Sequence, residues 1–150
     1  MNRLASFSIV ALAMLFLASS AGAQPPAWDQ AAVTAVGKQL AVDADAWRLA
    51  LRRQPDSDVL GSGESFDFDG MLRQSETIRQ MAEGLAAHLA AGDGMDKTKD
   101  MFKSMKEVVD DTAVDEARSF MDKPTLEAWN KLKGDVNKLA PYYGVKPSEP

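Results

Sequence analysis

From about residue 27 onward, apolar residues recur every three or four positions, and no stretch alternates convincingly with period two. That spacing lines one face of an α-helix and predicts an all-helical chain. Helix A is expected from about Ala27 to Arg53, with the stripe Val33, Val36, Leu40, Ala44, Trp47, Leu51. Arg52 and Arg53 suit the negative end of its dipole, and Pro55 stops it. Helix B begins near Asp67, where Phe66 and Met71 could form a hydrophobic staple. Its stripe is Met71, Ile78, Met81, Leu85, Leu89, and Gly92 suits the residue just past its end.

Helix C is expected from about Lys97 to Asp110, capped by Asp96, with Met101, Met105, Val108 and Thr112 on one face. The phase then fails, because Val114, Ala117 and Met121 fall far round the helix from that face. Thr112 followed by Asp115 and Glu116 reads as a new helix start. The pattern therefore predicts a break near Asp111 and a short helix from Ala113 to Met121. Helix D follows from Pro124, a residue that fits a first helical turn. Its stripe is Leu126, Trp129, Leu132, Val136, Leu139, Tyr143, closed by Pro141 and Gly144. The expected architecture is an antiparallel four-helix bundle with a short extra helix before the last main helix.

The first 23 residues follow a different pattern. Met1-Asn2-Arg3 is a short basic start, Leu4 to Ala18 is an apolar run, and Ala21 and Ala23 form a small-residue cleavage site. This is the layout of a bacterial secretory signal peptide, and it predicts a mature chain starting at Gln24 in the periplasm or outside the cell. Residues 24–145 then make one domain and residues 146–150 a flexible tail. Nothing after residue 23 is apolar enough to span a membrane.

Composition narrows the chemistry. The 150-residue chain has no cysteine and one histidine, His88. Disulfide scaffolds, thiol catalysis, zinc-finger chemistry and covalently attached haem are thereby excluded. Loss of Arg3 with the leader moves the formal net charge from −5 to −6. Nucleic-acid binding rests on neutralising phosphates, so an acidic small domain is a poor candidate for it. No nucleophile elbow, metal triad or phosphate-binding loop is present, and neither enzymatic activity nor a cofactor is expected.

Three groups of residues could still bind something. Helix A carries a second apolar arc, with Trp28, Ala35, Val42, Ala46 and Leu49 about half a turn from its main stripe. One bundle helix needs one stripe, so this arc is the expected contact for a second copy or another protein. The alternative function is a small-ligand or copper-type carrier. Met81, His88, Met101 and Met105 would supply its soft thioether and imidazole ligands. Against it, methionines at core spacing ordinarily fill gaps between helices. Lastly, Asp56 and Asp58 open the acidic loop like a calcium-binding loop, with Asp67 at its twelfth position. Leu60 at the fifth position and an Asp in place of the closing Glu depart from that pattern.

Overall fold

The computed structural model describes residues 26–54, 68–112, 114 and 121–148. Four α-helices occupy them: α1 (Gln30–Arg53), α2 (Phe68–Ala90), α3 (Met95–Asp110) and α4 (Lys123–Leu139). A 3-10 turn, Ala140–Tyr143, continues α4. Helix α1 packs against both α2 and α4, and α2 packs against α3, through antiparallel contacts consistent with a four-helix bundle. The expected signal peptide, the acidic loop from residue 55 to 67 and, apart from Val114 and Met121, the short extra helix lie outside the described residues.

Local chemistry sets the helix ends. Asp29 caps α1, its Oδ1 accepting from the Ala32 N–H at 3.0 Å. The helix therefore starts three residues later than its apolar spacing suggests, and Trp28 stays outside it. Asp122 caps α4 in the same way, accepting from Thr125 N–H at 2.9 Å. These bonds satisfy donors that the first turn leaves without an intrahelical partner. Gly94, not Asp96, precedes α3, and Asp96 sits in the first turn, where its charge suits the dipole. Helix α2 ends where Gly92 takes φ 86°, a left-handed conformation that a side chain disfavours. Pro141 has no N–H to continue the α4 ladder, so the chain tightens into the 3-10 turn.

The core follows the predicted stripes with small rotations. On α1, Val33, Leu40, Ala44, Trp47 and Leu51 are fully buried, while Val36 is only half-buried. Gly37 takes the inner position instead. A Cβ there would sit 2.7 Å from Leu89 Cδ1, so the missing side chain lets α1 and α2 approach closely. On α3 the inner face is Thr98, Phe102, Met105 and Val109, with Met101 and Val108 at its edge. Phe102 sets that phase by stacking on Tyr143 with centroids 4.4 Å apart and planes 13° apart. At the other end of the bundle, Trp47 and Trp129 join α1 to α4 with centroids 4.6 Å apart. Helix α3 ends at Asp110, as the phase break predicts, and Val114 beyond it is buried.

Candidate functional site

Helix α1 lies between α2 and α4, so its two flanks are both used. The wide apolar arc still extends beyond what those neighbours cover. Val42 is 60% exposed, the one large hydrophobic side chain so exposed among the described residues. Ala31, Ala35 and Ala46 are exposed beside it, and Leu49 is half-buried at the end of the line. Ala35, Val42 and Leu49 are spaced by seven, so they keep one azimuth along the helix. Trp28 does not join them. Its ring meets Tyr143 edge-on at 5.4 Å, and its indole N–H donates to Gln30 at 3.0 Å.

Charged groups border this line. Lys38 and Gln39 are exposed, and Gln39 donates to Asp43 at 3.2 Å. Arg48 donates to Asp45 at 2.6 Å and reaches toward Glu76 of α2, 3.7 Å away. Arg79 completes this cluster, contacting Glu76 at 2.6 Å and Glu83 at 2.5 Å. The hydrogen bonds from Arg79 and then Gln80 hold the Glu76 carboxyl at about 2, against an ordinary 4.5. A carboxylate lowered in this way stabilises the fold above its ordinary range and loses that contribution as pH falls through about 2. Glu76→Gln should therefore lower the melting temperature at neutral pH, with the difference from the parent vanishing toward pH 2. Thermal melts across that range check it.

The residues of the alternative metal reading lie in different settings. Met105 is buried in the core. Met81 and Met101 are half-buried against it, with the Met101 methyl packed over Gly84. His88 stands outside, its side chain 52% exposed, and turns toward the α2–α3 connection. There its Nδ1 lies 2.7 Å from Asp93 Oδ2, and Lys97 donates to the other Asp93 oxygen at 2.9 Å. The Lys97 bond, then the His88 bond, holds the Asp93 carboxyl below its usual range. An ionised carboxylate can only accept, so Nδ1 carries the proton and Nε2 faces away from Asp93. Among the described residues no three His, Asp or Glu side chains cluster in a way that could hold a metal ion. Asp56, Asp58 and Asp67 fall outside the described residues.

One buried group escaped the periodicity argument. Asp135 sits on the inner face of α4, only 2% exposed, directly before the core residue Val136. Lys138 donates to its Oδ1 at 2.7 Å, and Asp43 of α1 faces it across the helix pair. The signal was present, since Asp135 is three residues beyond Leu132, but an aspartate at a stripe position reads as a boundary residue. Compared with known proteins, the chain matches no family model, no curated protein and no solved structure.

Proposed function

We propose that this is an exported, non-enzymatic binding module whose outer α1 face, Ala35, Val42, Ala46 and Leu49, contacts a second copy of the chain. The observation that carries the reading is Val42, a β-branched hydrophobe left 60% exposed in the middle of a helix whose opposite side is fully packed. Export is supported by the leader-like residues 1–23.

A second copy fits the residues along this face. In an antiparallel pair with its two-fold axis at Val42, Ala35 lies opposite Leu49, so small meets large at both ends. The same axis brings Lys38 of one chain near Asp45 of the other, which sets register by charge. Light scattering across a dilution series tests it. The parent chain should show a concentration-dependent dimer mass. Val42→Asp should be monomeric with an unchanged melting temperature at low concentration, because an exposed position carries no packing. A monomer at all concentrations, with Val42→Asp indistinguishable from it, would overturn the proposal.

A further inference from the structure

The face between α1 and α4 contains a polar cluster that ordinary core packing does not explain. Asp135 is 2% exposed, and its Oδ2 has no hydrogen-bond partner, while Lys138 occupies Oδ1 at 2.7 Å. Across the helix pair stands Asp43, whose Oδ2 accepts from Gln39 at 3.2 Å. The antiparallel register that pairs Trp47 with Trp129 brings Asp43, one turn before Trp47, alongside Asp135, further along α4. Two ionised carboxylates facing each other, one of them buried and the other half-buried, repel, and neither can donate to the other. A single proton resolves both problems.

We propose that Asp135 carries a proton on Oδ2 and donates it to the Asp43 carboxylate, so that the α1–α4 contact is a latch that closes on protonation. With that proton in place every group in the cluster has a partner. Gln39 N–H and Asp135 O–H serve the Asp43 carboxylate, and Lys138 N–H serves Asp135 Oδ1. Asp135 is then neutral, and the remaining charges sit on half-buried Asp43 and exposed Lys138.

The charged groups facing Asp135 are Asp43 from α1 and Lys138 from its own helix. Burial raises the Asp135 carboxyl above its usual range, Lys138 opposes this, and Asp43 adds to it. For a carboxyl raised in the folded state, the stabilisation is complete below its unfolded range and is lost as pH rises through the folded value. The latch therefore tightens on acidification and loosens toward alkaline pH.

Infrared spectroscopy of the full chain, isotope-labelled at aspartate, tests the proposal directly. A protonated carboxyl band should persist well above the usual aspartate range and disappear in Asp135→Asn. Asp43→Asn removes the facing charge and should move the loss of that band to lower pH. Thermal melts give a second readout. Asp135→Asn keeps both hydrogen bonds without needing a proton. It should melt about 2–4 °C above the parent at alkaline pH, and the gap should close on acidification. Absence of a protonated aspartate band, or a band unmoved by Asp43→Asn, would overturn the latch. So would an Asp135→Asn chain destabilised equally at every pH. If Asp135→Asn fails to fold, the parent and Asp43→Asn spectra alone decide the question.

Discussion

Trp47→Ala should cost the domain about 3–5 kcal/mol, the upper range for truncating a core aromatic. Trp47 is fully buried on α1 and is one of two tryptophans that join α1 to α4. Removing it takes away the transfer free energy of a large ring and strands Trp129 against a cavity. The cavity cannot collapse easily, because α1 is also fixed to α2 at the Gly37–Leu89 approach. Trp47→Phe should cost much less, under about 2 kcal/mol, for an additional reason. The Trp47 indole N–H is buried with no hydrogen-bond partner, and phenylalanine removes that unsatisfied donor along with the ring. Urea unfolding with an unchanged slope would separate these two costs. A Trp47→Phe loss as large as that of Trp47→Ala would mean that the phenyl ring does not fill the site.

Tyr143→Ala is the second large effect, also about 3–5 kcal/mol. Tyr143 lies in the 3-10 turn after α4, so its side chain holds that turn to the rest of the bundle. It stacks on Phe102 of α3, meets Trp28 in a T-shaped contact, and hydrogen-bonds Thr98 Oγ1 at 3.0 Å. Alanine releases three elements at once. Tyr143→Phe keeps both ring contacts and removes only the hydroxyl, and should cost about 1 kcal/mol. Thr98 is not left stranded by that change, since its hydroxyl also reaches the Gly94 carbonyl at 3.0 Å. Near-ultraviolet circular dichroism should show the aromatic signal lost in Tyr143→Ala and retained in Tyr143→Phe. Retention in both would mean that Trp28 and Phe102 pack without Tyr143.

The helices and their inner faces are largely legible in the sequence. Leu40, Trp47, Leu85, Leu132 and Val136 are core residues because periodic apolar spacing marks a buried face whatever the partner is. The break after Asp110 was legible for the same reason, as a failure of phase. Errors of one position arose where a contact between helices decided the rotation. Phe102 displaces Met101 from the centre of α3 because it stacks on a residue 41 positions away. Gly37 replaces Val36 because α2 needs the space. Neither neighbour is encoded near the residue it selects.

The candidate interface was partly legible. A second apolar arc on α1 follows from the sequence, but Trp28 left it once the Asp29 cap started the helix at Gln30. Which of the remaining residues lie open depends on where α2 and α4 sit, and that is a tertiary property.

The all-helical class, the order of the elements and most of the core follow from local sequence, because helix period and helix breakers act over a few residues. The sequence also excludes disulfide and thiol chemistry, since the chain has no cysteine. Helix packing, in contrast, leaves Val42 open, turns His88 to Asp93 and sets Asp43 opposite Asp135 at the α1–α4 contact. The last of these pairs residues 92 positions apart. Hydrophobic spacing specifies which face of a helix turns inward, but not which polar group it meets there. That depends on the relative placement of two helices, and so on the packing of every side chain between them.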